Sequence, residues 1–172
     1  METTFEVTPR NHNVPFSSIT ISHCTSSSVD LVGLQVVIWQ IKYPTIFVTH
    51  FQVWRGALLL SDFLLARPEL LQGKSVLELA SGTGLTSIVA ATVADSVTAT
   101  DVNRGEILPL IRKNSNLNRD ILAQADSFSV QELDFFWDSW PPDLEQTVMS
   151  SEVVAVLFSH KNCGFRLCWL QM

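Results

Sequence analysis

Positive charge is scarce in this chain: 11 lysines and arginines stand against 17 aspartates and glutamates, and the formal net charge is −6 at pH 7. A phosphate backbone is met by a basic stripe, and no segment here supplies one, so direct nucleic-acid binding is not expected. Cysteine is scarce as well. Cys24, Cys163 and Cys168 are odd in number and show no CxxC spacing, which argues against a disulfide framework or a zinc site and for free thiols in a reducing compartment. His12, His23, His50 and His160 are scattered, and no metal is expected. Residues 1–16 carry no apolar signal core. A long unbroken apolar run is also lacking. Leu31 to Trp54 is apolar but interrupted by Lys42, Pro44 and His50, whereas a membrane span needs about 20 nearly uninterrupted apolar residues. No membrane partner is expected.

What is present is material for a core. Hydrophobic residues make up 47% of the 172 positions and charged residues 16%, so the chain should fold as one domain. Its first part is β-rich. Ser18 to Cys24 alternates apolar and polar, Ser26 to Ser28 reads as a turn, and Leu31 to Ile41 and Thr45 to Phe51 read as strands. From Gly56 the period becomes helical, with Ala57, Leu58, Leu60, Phe63, Leu64 and Leu65 on a broad apolar face ending near Arg67-Pro68. Arg104 to Leu117 reads as a second helix with Ile107, Leu108, Ile111 and Leu117 apolar, against which Pro109 counts. Phe128 to Leu133 and Glu152 to Phe158 read as strands, Trp137 to Pro142 as loop, and His160 to Met172 shows no clear period.

Lys74 to Asp101 carries the strongest signal. A short apolar run ends in Glu78. The small-residue loop Ala80-Ser81-Gly82-Thr83-Gly84 follows, then a helical segment from Leu85, then Val97 to Thr100 closing on Asp101. This is strand, glycine loop, helix, strand, acid: half of a nucleotide-binding α/β unit, which predicts a doubly wound, mostly parallel sheet with its ligand at the carboxyl ends of the strands. A dinucleotide fits poorly. Its pyrophosphate would sit at the helix N-terminus, where Glu78 repels it, and the third glycine of GxGxxG falls on Ser87. S-adenosylmethionine fits better. It has no phosphate and carries two cationic groups that acids attract. Gly82 and Gly84 allow close approach, Glu78 can anchor the methionine end directly or through water, and Asp101 can accept hydrogen bonds from both ribose hydroxyls. The same glycines alone could form no more than a tight strand-to-helix turn, and the acids could be solvated strand ends. It is the two acids within one βαβ pattern that favour a ligand site.

Further motifs flank this unit in order: Val53-Trp54-Arg55-Gly56-Ala57, Glu78 to Leu85, Thr100-Asp101, Asn114 to Asn118 (NSNLN) and Glu132-Leu133-Asp134. As a set they resemble the seven-strand protein-lysine methyltransferases of the methyltransferase-like group, over residues 53–134 with a weaker stretch at 18–35. The resemblance implies a Rossmann-like class I methyltransferase fold, S-adenosylmethionine as cofactor, and a protein lysine as acceptor. By position it implies that Trp54 lies over the methionine end and that Ala80, Ser81 and Gly82 line the loop. It also implies that Asp101 holds the ribose and that Phe135, after Leu133-Asp134, packs near the adenine. Asp134 and Ala155 are counted among the cofactor-binding positions; Asp134 is also the nearest acid to the acceptor side by motif, and it reads at least as well as a loop acid. Ala155 falls in the strand that the family follows with an acid-containing motif, and here neither acid nor tyrosine follows it. A nuclear or cytoplasmic location is expected from the family and from the lack of signals.

Departures from that pattern are specific. Ala80 stands where the family has glycine, so a left-handed backbone there would be strained. Phe135 replaces a tryptophan and lacks its N–H donor. Gln-Val occurs at 35–36 and again at 52–53, and removing Val36 to Gln52 restores the family's Gly-Leu-Gln-Val-Trp-Arg-Gly-Ala. The expected organisation is therefore a β-rich extension at 1–52 with an insertion at 36–52, a partial cofactor-binding domain at 53–158 and an atypical tail at 159–172. The fifth to seventh strands are expected to be missing, leaving the fourth strand as an apolar parallel edge. Such a chain is either a methyltransferase or an inactive fragment that keeps part of the cofactor site.

Overall fold

The computed structural model describes residues 3–6, 18–21, 26–31, 34–39, 53–160 and 164–171, and the side chains of residues 31, 34–39 and 53–153. Three sheets form. β1 (Thr3–Glu6) pairs antiparallel with β2 (Ser18–Ile21), and β3 (Ser26–Leu31) pairs antiparallel with β4 (Leu34–Trp39). The five-stranded sheet has β5 (Ser75–Leu79), β6 (Ser96–Asp101), β7 (Phe128–Glu132), β8 (Val153–His160) and β9 (Gly164–Gln171) in the order β7-β6-β5-β8-β9. Among the described residues the α-helices are α1 (Arg55–Ala66), α2 (Leu85–Ala90), α3 (Ile107–Leu117) and α4 (Pro142–Ser150).

The parallel pairs β7–β6, β6–β5 and β5–β8 form as the sequence predicts. Consecutive residues Val76, Leu77 and Glu78 of β5 are all buried, so both faces of the central strand are covered. Val76, Val97 and Val153 join Leu58, Leu60 and Leu64 of α1 and Ile88 and Val89 of α2 in one cluster. Ala99 packs with Ile107, Leu108, Leu110 and Ile111 of α3 in a second. Strand order reverses between β6 and β8 about β5, which places the switch point over the carboxyl ends of β5 and β8. The start of β8 is fixed by Glu152, whose carboxylate accepts from Lys74 Nζ (2.8 Å) and the Ser75 N–H (3.2 Å). The Lys74 ammonium holds that carboxyl below its usual range.

Several expectations change. Ser26 to Ser28 is the first half of β3 and not a turn, because the backbone of those serines pairs with Val37 to Trp39. The break in the Leu31–Ile41 run falls between Leu31 and Leu34. Thr45 to Phe51 lies outside the described residues. α1 forms as expected, but Phe63 points outward. α3 begins at Ile107, so Pro109 sits in the first turn, where a missing N–H costs nothing, and Leu117 at its end is 47% exposed. α4 was not foreseen: it starts at a proline and buries only Leu144. Finally, β8 is not an edge. Residues 164–171, read without a period, form β9 and pair antiparallel with β8 from Val153↔Gln171 to His160↔Gly164. No helix among the described residues is long and apolar enough to cross a membrane.

Candidate functional site

The glycine loop joins β5 to α2 at the carboxyl edge of the sheet, and hydrogen bonds to β6 set its shape. The Ser81 N–H donates to the Thr100 carbonyl (2.9 Å), and the Thr100 N–H donates back to Ser81 Oγ (3.1 Å). Thr100 Oγ1 donates to the Glu78 carbonyl (2.8 Å). The Gly82 N–H donates to Asp101 Oδ2 (2.7 Å), and the Val102 N–H to Asp101 Oδ1 (2.8 Å). Loop and strand end are therefore one unit, with Asp101 only 5% exposed at its centre.

Three residues of this turn are left-handed: Ala80 (φ 57°), Gly82 (φ 56°) and Gly84 (φ 79°). Gly84 also lies against α3, because a Cβ there would come within 3.0 Å of Ile111 Cγ2. Ala80 is the strained position that the departure from the family's glycine predicts, and costs roughly 1–2 kcal/mol relative to an ordinary conformation.

Glu78 is 3% exposed and turned beneath the loop. Its Oε2 accepts from the Ser87 N–H (2.9 Å) and from Ser87 Oγ, both in the first turn of α2. Burial pushes its carboxyl up to about 7, against the opposing pull of the Ser87 hydrogen bonds. The residue that breaks GxGxxG is thus the partner of the acid. Ser87 supplies two donors where a dinucleotide fold has a glycine, and an internal carboxylate occupies the helix end that a pyrophosphate requires. Sequence reasoning used Ser87 only as a mismatch.

The remaining expected residues lie around this centre. Trp54 is half-buried at the N-cap of α1, where its carbonyl accepts from Ala57 (3.0 Å) and Leu58 (3.3 Å), and α1 packs along α2. Ala155 of β8 is in register with Glu78 across the switch point. The Leu133 N–H donates to the Asp101 carbonyl (2.9 Å), which brings the loop after β7 beside β6. Asp134 turns into that loop. Its Oδ1 accepts from the Phe136 N–H (3.0 Å) and its Oδ2 from Arg104 (3.4 Å). Phe135 is about half-exposed at the same turn. No cluster of metal-ligating side chains is present among the described residues.

The donor set suits S-adenosylmethionine. Asp101 is held by two backbone amides, the loop keeps its backbone open through left-handed residues, and the acids match a cationic ligand rather than a phosphate. Sheet order, switch point and loop together define a Rossmann-like class I methyltransferase fold. A putative methyltransferase solved in complex with SAH shares it, with TM-score 0.50 and 16% identity over 78% of this chain and 33% of that one.

The family follows from sequence. A model described as lysine methyltransferase matches residues 40–159, and the chain belongs to that family. It is 38% identical to methyltransferase-like protein 22 of Mus musculus over 148 residues, covering 85% of this chain and 33% of that protein. It is 41% identical to methyltransferase-like protein 22 of Homo sapiens over 116 residues, covering 66% and 28%. The chain thus spans about a third of the length of these curated relatives.

Proposed function

We propose that this chain binds S-adenosylmethionine on the Ala80–Gly84 loop and serves the transfer of its methyl group to the side-chain amine of a protein lysine. The observation that carries the reading is the pairing of Glu78 with Ser87 beneath the loop while Asp101 is oriented by the Gly82 and Val102 amides above it. That arrangement disfavours a pyrophosphate and presents a fixed carboxylate to a ribose diol.

In this reading Asp101 accepts from the ribose hydroxyls, and Ala80, Ser81, Gly82 and Gly84 lie along the methionine portion. Trp54 covers its end, Phe135 meets the adenine face, and Ala155 marks the acceptor side of the switch point. Glu78 acts from below, bracing α2 through Ser87. The acceptor amine attacks when neutral, with its reference pKa of about 10.4 lowered by the site. Bound S-adenosylmethionine would supply the methyl group to the amine's lone pair, with the S–C bond breaking and its electrons left on sulfur. The methylammonium then loses its proton to solvent. Asp134 is engaged by Arg104 and Phe136 and serves the loop rather than this proton. The lysine methyltransferase family model supports the acceptor class, and three cysteines without a disulfide spacing agree with a nuclear or cytoplasmic setting.

The test is transfer of a radiolabelled methyl group from S-adenosylmethionine to protein lysine by the purified chain. Labelled lysine, lost in Asp101→Ala, is the expected outcome. Cofactor binding without turnover would instead make the chain a binding fragment.

A further inference from the structure

α3 touches more than the sheet. Asn114 and Asn118 are one helical turn apart, and both are buried. Asn114 Oδ1 accepts from the Trp39 N–H (2.7 Å) and Nδ2 donates to the Trp39 carbonyl (3.1 Å). Asn118 Oδ1 accepts from the Val37 N–H (2.7 Å) and Nδ2 donates to the Val37 carbonyl (2.6 Å). Each side-chain amide makes the two-bond exchange that a neighbouring strand would make. The spacing permits it: two strand residues rise about 6.8 Å and four helix residues about 6 Å. Lys113 adds its ammonium 3.3 Å from the centroid of the Trp39 ring. The edge of the β3–β4 hairpin is thereby closed by a helix.

The two asparagines differ in one contact. The second Nδ2 hydrogen of Asn114 reaches the Thr83 carbonyl (2.9 Å), between the two glycines of the loop, whereas that of Asn118 goes to the Asn114 carbonyl (2.7 Å). Ile111, three residues before Asn114, fills the space left by the missing Gly84 side chain. The loop is therefore seated on α3 at Gly84 and tied at Thr83. We infer that Asn114 is a positioning residue for the cofactor, fixing the Thr83 peptide so that Gly82 and Gly84 hold their left-handed turn, and joining that loop to the β3–β4 hairpin. The inference rests on the cofactor reading above.

The experiment compares Asn114→Ala with Asn118→Ala in the full chain, by calorimetry with S-adenosylhomocysteine and by amide hydrogen exchange. Both variants release β4, so exchange over 34–39 rises in both. Only Asn114→Ala frees Thr83, so exchange over 80–85 rises in it alone and the Kd for S-adenosylhomocysteine rises about tenfold, against less than about twofold for Asn118→Ala. Asn114→Asp keeps the acceptor for Trp39 but has no donor for Thr83, and gives the same loop opening if the alanine variant folds poorly. Equal changes in Kd for the two positions, or unaltered exchange over 80–85 in the Asn114 variants, would overturn the inference. Failure of folded wild-type chain to bind S-adenosylhomocysteine would count against the cofactor reading instead, with the exchange contrast still deciding whether Asn114 holds the loop.

Discussion

The loop after β5 and the loop after β7 flank β6 at the carboxyl edge of the same sheet, yet they are built in opposite ways. Around the first, Glu78, Ser81, Thr100 and Asp101 are all buried, and their side chains hydrogen-bond to one another or to backbone. In the second, Asp134 alone organises the turn, and Phe136 stands 88% exposed. The first loop has the fixed geometry of a cofactor cradle, with polar groups oriented before a ligand arrives. The second leaves Phe135 and Phe136 on an open apolar surface. On the proposed reading, the first loop would hold the cofactor and the exposed Phe136 of the second would face the acceptor protein.

The contrast is broken most strongly at Glu78. Its carboxyl is raised to about 7 in the folded chain by burial, while the unfolded chain titrates near 4.5. The folded state therefore holds the proton more tightly between those values, and stability falls as pH rises through that window, by roughly 1.4 kcal/mol per unit at the steepest. Glu78→Gln keeps an oxygen acceptor for the Ser87 N–H and removes the titration, so its urea midpoint should flatten across pH 5 to 7.5 relative to the wild type. An unchanged slope would show that Glu78 is not the titrating group.

Asp101→Ala comes next. It removes the acceptor of the Gly82 and Val102 amides and the proposed ribose contact, and should weaken S-adenosylhomocysteine binding about hundredfold, on the basis of about 1.5–3 kcal/mol per charged hydrogen bond. A smaller effect comes from the backbone. Ala80→Gly relieves a left-handed alanine and should stabilise the chain by up to about 1 kcal/mol, whereas Gly84→Ala forces a side chain against Ile111 and should destabilise it by about 1–3 kcal/mol. Thermal melts of the pair would move in opposite directions. Smallest is Phe136→Ser in the second loop. Stability should shift by less than about 0.5 kcal/mol, and S-adenosylhomocysteine affinity should hold, while methyl transfer to protein falls. Loss of cofactor affinity in that variant would mean the two loops are not separable.

Much of this was legible in the sequence. β5, β6, β7 and β8 are short apolar runs bounded by turn residues, and their order, the switch point at β5 and the left-handed strain at Ala80 all followed from pattern and motif. What escaped reading depends on contacts made far along the chain. Ser26 to Ser28 has no strand character until β4 lies beside it. α4 buries one residue, too few for a period to show. β9 is defined by its partner β8. At the start of the block expected as an insertion, Val36 and Ile38 are fully buried and Val37 and Trp39 are held by α3, so these four residues belong to the packed structure. The pairing of Asn114 with Trp39, 75 positions apart, has no local signal at all.

The most direct measurement is a calorimetric titration of the full chain with S-adenosylhomocysteine, run beside NAD at neutral pH. One molecule of S-adenosylhomocysteine per chain, no heat from NAD, and affinity lost in Asp101→Ala is the result predicted by a loop whose helix end is closed by Glu78 and whose strand end is armed by Asp101. Folded chain that binds NAD, or binds neither, would contradict it.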